Sequence, residues 1–486
     1  MEEKAVRGFS WTFLGLGLSK GMATVTTIVL AALVAPSDFG LVTIGLVVVN
    51  FVSWFGGSSF GATLIVHQDL DDRGQGTVLS LSLLGGAVSA IGIVALSPVV
   101  ADALRQPRLT AVLAVLAIAV QLSGLTGFYE SLLQSELRFR RRFVALFAQT
   151  AAFSVTAITL AALGAGVWSL VAGQVLSVAL FATVLMALAP RRVIPAWDRR
   201  EVGRLFKTGR GFALQGITAF VRQNVDVMAV GRSFGASSVG FYAMAFRLGD
   251  LTYSALADPI ARVTFPAFAR SRARDEDIRP VFLAVLRVVA LITVPCGVIL
   301  SAAGEPFTRT FFGPEWAPMV SVLGVVGLWA AVRPVEATLG WLLNSLGHAG
   351  AVGRVAVFVI VPLVVGLVLV VGSGNLALVA LVPLADTLLY LAILTVLVGR
   401  HAGLPVAALG RALAPVAVAG AACWAVTRLY AEALDDAPAF LALAGAASAG
   451  GVLFLLVVLL LDRPLIRSAV AQGARVLGRR ADASPA

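Results

Sequence analysis

Charge is scarce in this chain: Asp, Glu, Lys and Arg make up 13% of the 486 residues, against 59% hydrophobic, and the mean hydropathy is +0.93. A soluble domain keeps about a quarter of its residues charged. The composition therefore excludes an ordinary globular protein and points to an integral membrane protein. Cysteine is nearly missing as well. Cys296 and Cys423 fall in separate apolar runs with no spacing partner, which excludes a disulfide framework and a zinc site and makes them small buried hydrophobes. The three histidines, His67, His348 and His401, are scattered in or beside loops. No P-loop, hydrolase serine motif or metal-ligand spacing occurs, so the chain reads as a non-enzyme that calls for no metal and no cofactor.

What fills the sequence instead is long apolar runs. About 20 such residues in helical form cross the roughly 30 Å hydrocarbon core of a bilayer. Cutting at Gly, Pro and charge clusters gives fourteen candidate spanning helices, near 9–34, 40–63, 77–100, 109–134, 143–163, 167–188, 211–233, 238–266, 280–304, 317–345, 353–372, 376–398, 409–428 and 440–461. The first of them contains Lys20 and is too long for a signal peptide. An even number of spans puts both termini on one side. The segments on that side hold 26 of the 37 Lys and Arg residues, and those on the other hold 5. By the positive-inside rule both termini are expected in the cytoplasm of a multi-pass membrane protein. The net charge of +11 is thus a topology signal, not a nucleic-acid footprint.

One basic segment, PRRVIPAWDRREVGRLFKTGR at 190–210, is too charged to span, yet it carries Ile194, Trp197, Val202, Leu205 and Phe206. It is expected to lie along the inner surface with its aromatic side among lipid headgroups. It also separates two similar halves. GASSVGFYAMAF at 235–246 resembles VAPSDFGLVTIG at 34–45, WLLNSLG at 341–347 resembles SLLQSEL at 131–137, and GFALQGITA at 211–219 resembles GFSWTFLGL at 8–16, at offsets of about 200 to 210 residues. The expected architecture is all-α: an N-terminal lobe of six helices (1–189), the linker (190–210), a C-terminal lobe of six (211–400), then two further helices and a tail (401–486).

The stretch FVRQNVDVMAVG at 220–231 places charge inside a span. Such a residue costs about 2.5–3.5 kcal/mol near the bilayer centre and usually faces a partner or a water-filled cavity. Helical spacing groups Lys20 with Thr24 and Thr27, Glu130 with Thr126 and Gln134, Gln215 with Arg222 and Asp226, and Arg247 with Asp250, Ser254 and Asp258. Two readings stand side by side. Arg222 with Asp226, Asp258 with Arg262, and Arg333 with Glu336 have the spacing to neutralise each other as structural pairs. Alternatively Lys20, Arg222 and Arg247 face an anionic substrate, with Asp226, Asp250, Gln215 and Asn224 beside them. Glu130, Asp258, Arg333, Glu336 and Asp386 are candidates for Na+ or H+ coupling or for gating.

With LVAPSDFGLVTIG at 33–45, LLQSELRFRRRF at 132–143 and QNVDVMAVGRSFGASSVGFYAMAFRL at 223–248, the chain resembles the Wzx-like polysaccharide transporters. These are flippases of lipid-linked oligosaccharides in the superfamily that includes the MATE antiporters and the lipid II flippases; the colanic-acid-type exporters are nearest. The resemblance implies a V-shaped pair of six-helix lobes around a cationic cavity that takes the diphosphate and sugars of an undecaprenyl-diphosphate oligosaccharide while the tail stays in lipid. Carried over by position, Lys20, Arg222 and Arg247 are the cavity cations and Asp226 and Asp250 tune them. The expected partners are that substrate, membrane lipids and polysaccharide-assembly proteins, with the chain itself a monomer. No sodium site is matched. A MATE-like antiporter of small organic cations and a membrane glycosyltransferase or polymerase are the alternatives. The first would favour a carboxylate- and aromatic-lined cavity; the second needs a sizeable outer loop, and the longest here is EPFTRTFFGPEWAP at 305–318.

Overall fold

The computed structural model describes residues 2–55, 60–61, 63–67, 69–136, 138–261, 264, 268 and 277–462, and side chains from Leu18 onward except at 54–55, 66, 207–215 and 217–219. The side chain of Gln215 and all of Arg262 therefore lie outside the described residues. Fourteen long helices account for most of the rest, and the described residues contain no strand. They are α1 (Glu2–Leu33), α2 (Pro36–Phe55), α3 (Asp72–Ala103), α4 (Leu109–Ser135), α5 (Phe139–Ala162), α6 (Val167–Leu188), α7 (Arg199–Phe234), α8 (Ala236–Leu251), α9 (Arg279–Ala302), α10 (Met319–Ser345), α11 (Ala349–Val370), α12 (Leu376–Ala402), α13 (Val406–Ala433) and α14 (Ala439–Leu461).

Their ends follow local chemistry. The Asp71 carboxylate accepts from the Gly74 amide to open α3, and Asn375 accepts from the amides of Ala377 and Leu378 to open α12. Helix α12 stops at Gly403, whose φ of 63° is left-handed and cheap only for glycine. Of the fourteen, eleven are long and apolar enough to cross a membrane. The expected count of fourteen spans is not reached on that measure for three reasons. The apolar part of α1 among the described side chains is only Leu18–Leu33, α7 is polar along much of its length, and α8 gives way after sixteen residues to a π-helical turn, Thr252–Ala257.

Bulky aliphatic side chains face outward along these helices, among them Val88, Ile91 and Val99 on α3 and Val361, Val368 and Leu369 on α11. A surface of this kind is stable only against lipid. The protein is an all-helical, multi-pass membrane protein. Cys423 is buried as expected, whereas Cys296 is exposed on α9.

Two compact units make up the described chain: residues 1–243 with 371–374, and residues 244–370 with 375–486. In the first unit α3 packs on α4, α5 on α6, α1 on α5, and α7 on α2. Its core holds Val78, Phe128, Leu133, Phe181, Leu185 and Leu205. In the second, α9 packs on α10 and α13, α10 on α12, and α13 on α14, around Phe282, Leu286, Tyr390, Leu394 and Phe454. The sequence reading divides the chain within 190–210; the compact units divide at Ala243. The difference arises because Arg199–Arg210 is helical and continuous with α7, which packs on α2 and α3 of the first unit. Only 190–198 is an irregular connection.

Candidate functional site

In the second unit, two polar helix faces meet. Helix α8 presents Arg247 and Asp250, both exposed, one turn ahead of the π-helical turn. The amide of Asp258 reaches back to the carbonyl of Tyr253, a π-type bond. π-turns recur at functional sites. Thr252, inside the turn, donates to the carbonyl of Gly249 at 2.8 Å and lies 3.0 Å from that of Ala330 on α10. The approach is close: a methyl group at Gly249 would come within 2.7 Å of Val326.

This seam sets Tyr253 beside the α10 pair Arg333 and Glu336. Arg333 Nη1 donates to Glu336 Oε2 at 2.6 Å, and its guanidinium carbon lies 5.3 Å from the centre of the Tyr253 ring. Glu336 is 2% exposed and Arg333 25%. The glutamate orients the arginine, which keeps a quarter of its side-chain surface exposed. Phe246 and Trp329 pack edge to face at 5.2 Å, and the Trp329 indole N–H donates to Thr387 on α12. The result is a guanidinium oriented by a carboxylate and a ring, with Arg247 and Asp250 on the neighbouring helix. Such a fork matches the oxygens of a phosphate or carboxylate. Asp258 follows the π-turn, half-buried; Asp386, buried on α12, lines a cavity of about 300 Å³ against Pro362, Leu363 and Gly366 of α11.

The other candidates belong to the first unit. Lys20 is half-buried on α1, where Thr24 donates to its carbonyl. One turn on, Thr26 donates to Ser154 at 2.6 Å and ties α1 to α5. Glu130 accepts from both Nε and Nη2 of Arg142 on α5, at 2.9 and 2.7 Å. On α7, Arg222 is half-buried and the Asn224 amide donates to the Phe220 carbonyl. Asn224 also borders an apolar cavity of about 610 Å³ lined by α2 and α3, including Phe51 and Val88. Asp226 is 6% exposed and accepts the hydroxyl proton of Tyr242 on α8 at 2.7 Å. The structure thus gathers Arg247, Asp250, Arg333 and Glu336 in one unit, and keeps Lys20, Glu130, Arg222, Asn224 and Asp226 in the other.

The two motifs matched as a repeat touch each other. Helix α2 opens at Pro36 and α8 at Ala236; a methyl group on Gly40 would overlap the Ala236 carbonyl, and one on Gly240 would overlap that of Pro36. Beside this contact Asp38, in the first turn of α2, pairs with Arg108 at 3.1 Å. At the start of α7, Arg204 donates to both oxygens of Asp69 and thereby holds the Asp69 carboxyl below the usual carboxylate range.

Tyr242 and Tyr253 were beyond spacing arguments, since each serves a residue on another helix or turn. Pro259, just past the π-turn, is the one local signal: a proline has no amide to donate, so the ladder before it is free to rearrange.

Residues 29–321 match the family described as polysaccharide biosynthesis protein. The succinoglycan biosynthesis transport protein ExoT of Rhizobium meliloti is 26% identical over 351 residues, covering 71% of this chain and 70% of that one. The lipopolysaccharide biosynthesis protein WzxC of Escherichia coli is 24% identical over 352 residues, again covering 71% and 70%. Among solved structures, the lipid II flippase MurJ in an inward closed conformation aligns with a TM-score of 0.75 at 13% identity, covering 93% of this chain and 99% of that chain. An inward-facing MATE family multidrug transporter aligns at 0.58, with 14% identity and coverage of 77% and 95%. A family match over more than half the chain, on a fold shared with these transporters, settles its membership: the chain belongs to the polysaccharide biosynthesis protein family.

Proposed function

We propose that the protein is a flippase that moves an undecaprenyl-diphosphate-linked oligosaccharide from the inner to the outer leaflet of the cytoplasmic membrane for polysaccharide biosynthesis. The observation that carries this reading is the guanidinium of Arg333, oriented by Glu336 and Tyr253 inside a unit built of apolar helices. Arginine is expensive at membrane depth, and a fork held by Glu336 and Tyr253 with donors left over suits a diphosphate. The family and the relatives named for transport and biosynthesis of polysaccharides support the same substrate class. No covalent step is needed, because alternating access moves the head group while the tail remains in lipid.

The reading includes both termini in the cytoplasm, a single chain as the working unit, and polysaccharide-assembly proteins as neighbours in the pathway. Lys20, Arg222 and Arg247 are its further substrate cations; Na+ or H+ coupling is assigned to the acids that remain. A MATE-like antiporter of organic cations fits less well, since the Arg333 site offers donors to an anion.

The experiment is reconstituted flipping in proteoliposomes with defined lipid-linked sugars. Wild-type protein should translocate an undecaprenyl-diphosphate oligosaccharide, and Arg333→Ala, Arg222→Ala and Lys20→Ala should not, with insertion unchanged. Transport of an organic cation with no glycolipid flipping would overturn the reading.

A further inference from the structure

The segment between α6 and α7 is held from behind. Its backbone is strapped to the first turns of α3: Ser80 donates to the Ala196 carbonyl at 2.8 Å, and the Asp198 amide donates to Thr77 at 2.9 Å. Gly76 admits this approach, since a methyl group there would meet the Ile194 carbonyl at 2.5 Å. At the other end Arg141 of α5 donates to the Leu188 carbonyl at 2.9 Å. Val193 packs on the core of the first unit, Ala196 lies against Gly76, and Leu205, further on in α7, is buried in that core.

Other side chains of the strap and of the start of α7 face outward. Ile194 is 79% exposed, Trp197 47% and, about two turns into α7, Phe206 57%, with its ring against that of Phe60. Around them Arg192, Arg199 and Arg200 are exposed and make no ion pair among the described residues. Arg191 and Arg204 have acid partners, Asp72 in the first turn of α3 and Asp69 just before it. The strap follows a spanning helix and rests on the starts of two others, α3 and α5, so it lies at one membrane face. Exposed apolar side chains bordered by unpaired arginines at that depth have a natural complement in a lipid with an acyl region and a negatively charged phosphodiester.

We infer that the 191–206 strap is a docking surface for anionic phospholipids, with Arg192, Arg199 and Arg200 taking the headgroup phosphates and Ile194 and Trp197 entering the acyl boundary. The inference goes beyond the transport reading: it needs only the membrane setting, and its occupant is a bilayer lipid, not the transported glycolipid. Each arginine near such a surface contributes enough that losing all three should lower affinity on the order of a hundredfold.

The test uses full-length protein in nanodiscs that mix phosphatidylglycerol with phosphatidylcholine, and reads the lipid retained after purification by native mass spectrometry. Wild type should retain phosphatidylglycerol preferentially, and less of it in high salt. The triple variant Arg192→Gln, Arg199→Gln, Arg200→Gln should lose that preference while still flipping glycolipid. Equal retention of both lipids by wild type, or an unchanged preference in the triple variant, overturns the inference. If the triple variant fails to fold, Trp197→Phe decides: against wild type it should remove a fluorescence component quenched more by brominated phosphatidylglycerol than by brominated phosphatidylcholine. Equal quenching by the two lipids overturns it too. Displacement of phosphatidylglycerol by an undecaprenyl diphosphate at equal concentration would assign the strap to the transported lipid and likewise overturn it.

Discussion

Gly40 and Gly240 are each the fifth residue of their helices, α2 and α8, and each lies against a backbone carbonyl of the other's helix, Ala236 for Gly40 and Pro36 for Gly240. The relation is reciprocal, as it would be about a two-fold axis. It depends on the absence of a side chain, because neither carbonyl can swing aside without breaking its own helix. Gly40→Val and Gly240→Val should each destabilise the protein by about 1–3 kcal/mol through overpacking. The melting temperature in detergent measures this, with Gly21→Ala as the control, since nothing lies within 4 Å of that position. An unchanged melting temperature for both valine variants would refute the close approach.

Removing one member of the Arg333–Glu336 pair leaves the other unmatched. Glu336→Ala should cost about 3 kcal/mol, toward the low end for a broken buried pair because Arg333 keeps 25% of its side-chain surface. It should also slow flipping, since the guanidinium loses its orientation. Arg333→Lys keeps the charge but not the fork and should lie between wild type and Arg333→Ala in transport. Full flipping by Arg333→Lys would mean that charge alone matters there.

Glu130 was a candidate for ion coupling, and the two hydrogen bonds that its Oε1 accepts from Arg142 allow a sharp test. Both side chains are nearly a third exposed, so the pair contributes only about 0.5–1 kcal/mol. The swapped pair Glu130→Arg with Arg142→Glu should restore both stability and flipping if the role is to join α4 to α5. Restored stability with transport still lost would instead assign Glu130 to coupling.

At the surface, the Asp69 carboxyl is held below its ordinary value chiefly by its hydrogen bond from Arg204. A carboxyl depressed in the folded state stabilises above its unfolded value, about 3.9, and that contribution disappears as pH falls through the folded value. Wild type should therefore lose melting temperature more steeply than Asp69→Asn as pH is lowered from 5 to 3. Identical slopes would show that the pair adds nothing in solution.

Much of this could be read from the chain alone. The apolar runs, the Gly, Pro and charge breaks, and the biased arginines already specify a succession of helices and an all-helical membrane fold, though not the count of spans, because burial in lipid is a property of each segment by itself. The repeat motifs were visible too; that they pack on each other was not. Partner choice belongs to the tertiary structure. Spacing offered Glu130 only neighbours on its own helix, and the fold gives it Arg142 across the α4–α5 turn. The fold also gives the Asp226 carboxylate the Tyr242 hydroxyl from α8, a partner that helical spacing does not offer. Arg333 and Glu336 did meet as their spacing allowed, yet the ring that orients the arginine comes from a π-turn on another helix. Helical periodicity reports which side chains share a face. Which face meets which depends on how helices cross, and that is set by small residues such as Gly40, Gly240 and Gly249, whose effect appears only once two backbones touch.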